Sequence, residues 1–409
     1  MVHAFTEDRT QAELYYQARC GRAKFPLPGP IVVHGLTQTE VERYSRQLVL
    51  PELGRQGQEK LKGSAVVVVG AGGLGIPTSV YLTAAGVGKI GIVDEDNVEK
   101  SNLHRQTIYT EDDIGMPKAL VAAERLRKMN PYVEVEPHEA RLSSANAMGI
   151  LKGYDVAVDC TDNFPARYLI NDACVLLGKP DVYASIFRFD GQASVFQASR
   201  GPCYRCLFPE PPPPETVQDC AVAGVLGVLP GIMGSIQAVE AMKLVLGLGE
   251  PLLGRLLLFN ATDMTFNELR FKKNPDCPVC GRNPTVRKLI DYEEFCGMRR
   301  ATPSLEEVAP LELKRRIDVG EKIVLLDVRE PFENALCRIE NSKLIPLSEL
   351  GRRVGELDRS TEIVVYCHTG VRSARAVGIL SSEGFRRVRN LKGGIRAWAE
   401  EVDPKMPIY

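Results

Sequence analysis

A cysteine near the C-terminus stands in a setting suited to nucleophilic chemistry. The stretch VVYCHTGVRSARA, residues 364–376, reads as an apolar strand, a tight polar loop opening at Cys367, and a helix. Gly370 permits a close turn, so successive backbone N–H groups can point inward at the Cys367 sulfur. The positive end of the following helix adds to this. Both effects stabilise a thiolate, and equally a persulfide anion, and raise its reactivity. Arg372 contributes positive potential and a planar fork that fits an oxyanion such as thiosulfate. A phosphatase also closes a cysteine loop with an arginine, but its loop needs one more residue than the four between Cys367 and Arg372. The smaller ring suits a sulfur atom better than a phosphate.

A second constellation lies in the first half of the chain. Gly70, Gly72 and Gly75 make G-x-G-x-x-G directly after the apolar run SAVVVV and before a helical stretch. Such a turn lets phosphate approach the backbone at a helix N-terminus. Asp94 ends the next strand, where it can bind ribose hydroxyls. Alone, this suits NAD or FAD. The loop beyond Asp94 holds SNLHRQ (101–106), then Lys118 opens a helix and TDN (161–163) ends a strand. Two cations, Arg105 and Lys118, beside phosphates suit a triphosphate losing pyrophosphate better than a nicotinamide passing hydride. Asp162 can hold a magnesium ion through a carboxylate oxygen.

Cysteine spacing gives a third site. Cys203 and Cys206 form C-x-x-C in GPCYRCLFP, and Cys277 and Cys280 form C-x-x-C-G in PDCPVCG. Two such knuckles predict a tetrahedral thiolate zinc site, structural because four thiolates leave no open position. Cys220 follows the proline-rich PEPPPPETVQ and precedes small residues, a mobile-loop position that commonly carries chemistry. The remaining cysteines, Cys20, Cys160, Cys174, Cys296 and Cys337, read as ordinary thiols, with Cys160 and Cys174 in the core.

The elements that must position these residues follow from patterning. SAVVVV, KIGIVDED, VEVEPHEA and YDVAVDC read as strands separated by helices, which implies a parallel, doubly wound α/β sheet. LTQTEVERYSRQLVL has helical spacing, with Thr37 or Thr39 as N-cap. Residues 1–36 are expected to be an extension and 37–290 a nucleotide-binding domain. The polar, proline-punctuated stretch 291–302 is the expected linker. A smaller α/β domain over 303–409 would hold the strands KIVLLDV, TEIVVYC and RVRNLKG. Asp327 and Arg329 would buttress the cysteine loop, and Trp398 would be core. The chain has 409 residues, 44% apolar and 25% charged, and a formal net charge of −1. That balance argues against a general nucleic-acid or membrane-surface binder. No run of about 20 apolar residues and no apolar leader is evident, which predicts a cytoplasmic protein with reduced thiols.

The motifs RYSRQL, VVVVGAGGLG, DEDNVEKSNLHRQ, GMPKA and CTDN resemble the MoeB/ThiF adenylyltransferases over residues 37–290. The resemblance implies that ATP adenylates the C-terminal glycine of a small ubiquitin-like sulfur carrier ending in Gly-Gly. It places Gly72, Gly73 and Asp94 at adenosine and ribose. Ser101, Asn102, Leu103, His104, Arg105 and Lys118 would line the phosphates. Asp162 would serve magnesium and the reacting carboxylate, with Asn163 beside it. Arg46 matches a family arginine that reaches the other protomer's site, implying a homodimer. The family carries the same two zinc cysteine pairs. It also has a cysteine matching Cys220, which attacks the activated carrier or resolves a sulfur adduct. Where the family often has an acidic residue two places later, this chain has Val222.

LLDVREPFE (325–333), VVYCHTGVRSARA and NLKGGIRAW (390–398) resemble a rhodanese domain, with LCRIENS in place of the usual Gly-His-Ile. Together the halves resemble fused adenylyltransferase/sulfurtransferases of the MoeZ type. That implies a Cys367 persulfide filled by a cysteine desulfurase or thiosulfate. A NAD-dependent oxidoreductase with a regulatory module, and a scaffold whose tail only docks partners, remain open at this point.

Overall fold

The computed structural model describes residues 35–213, 224–297 and 306–408. Cys20 and Cys220 lie outside the described residues. The chain divides into two compact units after Met298.

The first unit is built on eight strands: β1 Ala65–Val69, β2 Lys89–Val93, β3 Glu134–His138, β4 Val156–Asp159, β5 Asp181–Phe187, β6 Asp190–Phe196, β7 Arg255–Asn260 and β8 Thr265–Arg270. Their order is β3-β2-β1-β4-β5-β6-β7-β8. The first five run parallel; the alternation of strands and helices predicts this for four of them and does not mark β5. From β5 onward the pairing is antiparallel, an extension that the sequence reading did not contain.

Successive side chains of a strand face opposite sides, so both faces of this sheet need cover. Val66 and Val68 of β1 enter a core with Leu82 of helix α1 (Gly75–Ala85), Leu126 of α2 (Lys118–Met129) and, beyond α3 (Phe164–Leu177), Met233 of α4 (Leu229–Leu246). Val67 and Val69 enter the opposite core with Tyr168 and Ile170 of α3. Helix α4 is long and apolar enough to cross a membrane by length and composition. More than half of it is buried, and it packs on α1, β5 and β6 as a core helix. The cysteines Cys160 and Cys174 are buried in these cores, as expected.

Thr37 is the N-cap of Gln38–Arg43, with Glu40 completing a capping box. The helical run expected across Tyr44 is instead two pieces, Gln38–Arg43 and Ser45–Leu48. Tyr44 at the break is buried, and its hydroxyl accepts from Asn130 Nδ2 at 2.9 Å.

The second unit holds five parallel strands, β9 Glu307–Val308, β10 Ile323–Asp327, β11 Lys343–Leu344, β12 Glu362–Tyr366 and β13 Val388–Leu391, in the order β11-β10-β12-β13-β9. Its helices include α5 (Pro331–Leu336), α6 (Val371–Ser382) and α7 (Gly394–Glu401). Val365 and Leu380 share one core, while Val364, Tyr366 and the buried Trp398 share the other.

Candidate functional site

Strand β1 is followed on one side by β2 and on the other by β4, so the sheet order reverses between β1 and β4. Open α/β sheets bind ligands at the carboxyl ends of strands flanking such a switch. Here the chain turns at Gly70 with φ +100°. A side chain at Gly75 would place its Cβ 1.7 Å from the Gly70 carbonyl oxygen, so the turn admits only glycine there. At Gly72 the nearest neighbour of such a Cβ would be Gln106 Nε2 at 3.6 Å, which leaves the loop backbone approachable.

Asp94, at the end of β2, clasps this loop. Its carboxylate accepts from the Ala71 N–H at 2.7 Å and the Asp96 N–H at 2.8 Å. Burial holds the Asp94 carboxyl above its usual range, against the opposing charge of Lys118. The Tyr109 hydroxyl lies between the carbonyl oxygens of Ala71 (2.9 Å) and Lys118 (3.2 Å). It ties the start of α2 to the glycine loop. Arg105 donates to the Ser101 carbonyl at 2.8 Å, and its Cδ lies 3.7 Å from a Cβ built on Gly73. Lys118 is buried, with Nζ 2.9 Å from Asp96 Oδ2. Asn102 is buried beside exposed Ser101 and His104, and Leu103 packs on the core. Pro230, where the chain re-enters beyond the proline-rich segment, lies against Gly73.

The turn after β4 joins this edge through the Cys160 N–H, which donates to the Val69 carbonyl at 2.9 Å. Asp162 and Asn163 are exposed on it, and Asn163 Oδ1 caps α3 by accepting from the Ala166 N–H at 3.0 Å. Asp159 Oδ1 holds the turn by accepting from Thr161 N and Oγ1, at 2.9 and 2.6 Å. Arg46 is exposed on Ser45–Leu48, next to exposed Val49 and Leu50. Two residues that sequence reasoning missed belong to this site. Gln106 ends SNLHRQ and Tyr109 lies three residues beyond it, but nothing in their type marked them.

Beneath the turn, Asp181 of β5 shares a sheet face with Asp159, because Asp159 pairs with Tyr183 and Ala157 with Asp181. Neither Asp181 oxygen has a hydrogen-bond partner among the described residues. Burial, reinforced by the Asp159 charge, pushes the Asp181 carboxyl well above its ordinary range. The folded chain therefore keeps a proton that the unfolded chain releases above about pH 4, so this residue's cost grows as pH rises. Asp181→Asn should stabilise the chain by about 1–3 kcal/mol at pH 7 and by less near pH 4. Denaturant melts across pH 4–8 test this; a variant no more stable at pH 7 than at pH 4, relative to the parent chain, would overturn it.

The four cysteines of the two knuckles converge. Their sulfurs lie 3.8 Å (Cys203–Cys206), 3.6 Å (Cys203–Cys277) and 3.4 Å (Cys206–Cys280) apart. All four sulfurs lie within 4.8 Å of one another. Tetrahedral zinc with Zn–S near 2.3 Å requires sulfurs about 3.8 Å apart, so the set fits that ion. Arg205, between Cys203 and Cys206, is buried in a paired contact with Asp172 of α3, at 2.9 and 2.8 Å. The knuckle is thereby fixed to the helix whose N-terminus carries Asp162 and Asn163.

In the second unit, Cys367 ends β12 and is 1% exposed. Gly370, at φ +96°, turns the loop so that its N–H donates to Cys367 Sγ at 3.1 Å. The other donor is a side chain: Ser373 Oγ lies 3.3 Å from the sulfur. Ser373 stands directly after Arg372 in the motif and was not singled out from sequence. The N-terminus of α7 binds the loop from behind, with Ile395 N–H on the Cys367 carbonyl at 2.8 Å. Asp327 and Arg329 form a fully buried pair, and Arg329 also donates to the Cys337 carbonyl at 2.8 Å. Asn334 donates to Asp327 at 3.0 Å, so the pair anchors α5. Arg372 meets Glu333 of α5 in a two-point contact, Nη1 to Oε2 at 2.6 Å and Nη2 to Oε1 at 2.7 Å.

A glycine-turn nucleotide fold with a thiolate metal knuckle, followed by a cysteine loop on a small parallel sheet, defines an activating enzyme joined to a sulfurtransferase. The family comparisons agree. The ThiF family model matches residues 44–279 and the rhodanese-like domain model residues 309–401, so the chain belongs to the ThiF family and carries a rhodanese-like domain. It is 45% identical over 394 residues to a probable adenylyltransferase/sulfurtransferase MoeZ of Mycobacterium tuberculosis, covering 94% of this chain and 98% of that one. It is 44% identical to the adenylyltransferase and sulfurtransferase MOCS3 of Drosophila sechellia, covering 93% and 88%. A sulfur carrier protein adenylyltransferase of Thermus thermophilus is 58% identical over 268 residues, 64% of this chain and 99% of that one. Escherichia coli MccB, solved with ATP, shares the fold at a TM-score of 0.54 and 23% identity, covering 68% of this chain and 83% of that one. The chain is an adenylyltransferase and a sulfurtransferase.

Proposed function

We propose that the first unit adenylates the C-terminal glycine of a ubiquitin-like sulfur carrier ending in Gly-Gly, and that Cys367 then supplies sulfur to give a thiocarboxylate. The observation that carries this is the pairing, in one chain, of a cation-lined glycine turn with a cysteine whose sulfur faces the Gly370 N–H and the Ser373 hydroxyl.

A carboxylate at neutral pH has no leaving group. Attack of its oxygen on the α-phosphorus of ATP breaks the bond to the β-phosphate, and pyrophosphate leaves with the electron pair. Arg105 and Lys118 would offset the charge gathering on the departing oxygens. Asp94 would hold the ribose above Gly72 and Gly73. Asp162 would hold a magnesium ion, which neutralises phosphate charge when bound.

The terminal sulfur of a Cys367 persulfide attacks the acyl carbon and AMP leaves. The Gly370 N–H and the Ser373 hydroxyl face the Cys367 sulfur, and the negative charge of the persulfide leaves with AMP. Cys220 would free the thiocarboxylate by forming a disulfide with Cys367, which a cellular thiol then reduces. A cysteine desulfurase is the proposed sulfur source. A homodimer would bring Arg46 of each protomer to the other's site. Val49, Leu50, Tyr81 and Val239 are exposed apolar residues that such a contact could cover. The nine described cysteines are all free, which suits the cytoplasm.

The test is ATP–pyrophosphate exchange in the presence of purified Gly-Gly-ending proteins. Exchange is expected with at least one of them, and none when its last glycine is removed. Exchange that never requires a carrier would defeat the reading.

A further inference from the structure

The fork that should receive an oxyanion is already engaged. Both terminal nitrogens of Arg372 meet both oxygens of Glu333, and the two side chains are 14% and 2% exposed. Glu333 is itself fixed, because its Oε2 accepts the Glu330 N–H at 2.9 Å in the capping box of α5. That helix is anchored in turn by the buried Asp327–Arg329 pair through Asn334 and the Cys337 carbonyl.

The other charges facing the loop are also balanced. Arg329 is paired with Asp327, and Arg396 of α7 with Glu400 at 3.2 Å. Burial lowers His368 below the usual imidazole range; Glu333 opposes this, and the nearby guanidinium groups of Arg372, Arg396 and Arg329 add to it. The imidazole is therefore neutral at pH 7 and brings no further positive charge.

We propose that Glu333 is a specificity residue of the sulfurtransferase site: it withholds Arg372 from dianionic donors such as thiosulfate and leaves Cys367 to be filled by protein-bound persulfide. The inference rests on the sulfurtransferase reading of Cys367. With either donor the Cys367 thiolate attacks the outer, sulfane sulfur, and the donor's S–S bond breaks. Thiosulfate gives up sulfite with the electron pair, whereas a persulfide gives up the donor's thiolate. No oxidant enters in either case. The difference is the leaving group: sulfite is a dianion that needs the fork of Arg372, and a protein thiolate is held by its own protein. A carboxylate already in the fork competes only with the former.

Glu333→Gln tests this, because glutamine keeps the acceptor for the Glu330 N–H but removes the competing charge. The whole chain is assayed with thiosulfate and, separately, with a purified cysteine desulfurase supplied with L-cysteine. Sulfur on Cys367 is read by intact mass and turnover by sulfite or alanine release. The expected result is a rise of about tenfold or more in kcat/KM for thiosulfate, with KM falling and the desulfurase rate changed less than about twofold. Arg372→Lys in the Gln variant should remove the gain, since an ammonium offers no planar fork. An unchanged thiosulfate rate in Glu333→Gln, or equal changes with both donors, overturns the inference. A parent chain whose Cys367 takes sulfur from neither donor overturns the sulfurtransferase reading itself, a distinct outcome.

Discussion

In Cys367→Ala, sulfur transfer to the carrier should fall by at least about 10³-fold while carrier-dependent ATP–pyrophosphate exchange stays within about twofold. The split follows from architecture. Cys367 lies in the second unit, whose five-stranded sheet has cores of its own, and the glycine turn lies in the first. Alanine removes the sulfur atom proposed to carry the sulfane. It also disturbs little else. Ser373 Oγ has a second acceptor, the Gly370 carbonyl at 3.1 Å, so among the described residues it is the Gly370 N–H that loses its partner outright. The local cost is about 1–3 kcal/mol. Thiocarboxylate on the carrier is read by mass, and adenylation by labelled pyrophosphate entering ATP. A folded Cys367→Ala chain that loses exchange would show that the two activities are not divided in this way. One that still forms thiocarboxylate would show that another thiol carries the sulfur.

The parallel half of the first sheet was legible because its signals are local. Strands β1, β2 and β4 are short runs rich in β-branched residues, and the glycine spacing fixes where the phosphate edge must be. The antiparallel half was not, and its turns explain why. The β5–β6 hairpin turns at Arg188 and Phe189, with Arg188 at φ +54°. The β7–β8 connection places Met264 at φ +52°. Such positions favour Gly, Asn or Asp, whose presence is the usual sequence mark of a hairpin. Here an arginine and a methionine adopt that conformation, so the turn positions carry no such mark; Asp190-Gly191 and Asp263 stand beside them, outside the positive-φ positions. Edge strand β8 is exposed along its length and shows no buried face from which to infer pairing.

The sulfur site divides in the same manner. Cys367, Gly370 and Arg372 were found because they share one loop. Glu333 lies 39 residues from Arg372 and meets it only because β10 and β12 are neighbours in a parallel sheet, which brings the start of α5 beside the loop. A glutamate in LLDVREPFE also reads as an ordinary helix-capping residue, a role it does fill. No local pattern distinguishes a capping carboxylate from one that also occupies an arginine. Cys203, Cys206, Cys277 and Cys280 were the opposite case. Their chemistry is so restrictive that two distant pairs implied one site without knowledge of the path between them.

Lys118→Ala should lower carrier-dependent exchange by about 10²–10³-fold, chiefly in kcat, with the fold and metal content unchanged. Lys118 opens α2, so its charge adds to the positive end of that helix. Its side chain is buried and its ammonium is held 2.9 Å from Asp96, whose own side chain is 64% exposed. A buried ammonium paired with a solvated carboxylate is a partner exchange in waiting. Incoming phosphate offers more charge than Asp96 does, and Asp96 can return to water at little cost. Asp96→Asn should therefore change exchange less than about tenfold, since it alters only the resting partner. The glycine turn would survive Lys118→Ala, because Tyr109 holds Ala71 and α2 through the backbone carbonyls and not through the Lys118 side chain. ATP affinity and single-turnover adenylation, measured separately, decide the matter. A Lys118→Ala chain that binds ATP poorly but adenylates normally at saturation would make Lys118 a ground-state contact. A Lys118→Ala chain that adenylates within threefold of the parent at any ATP concentration would remove the lysine from the reaction.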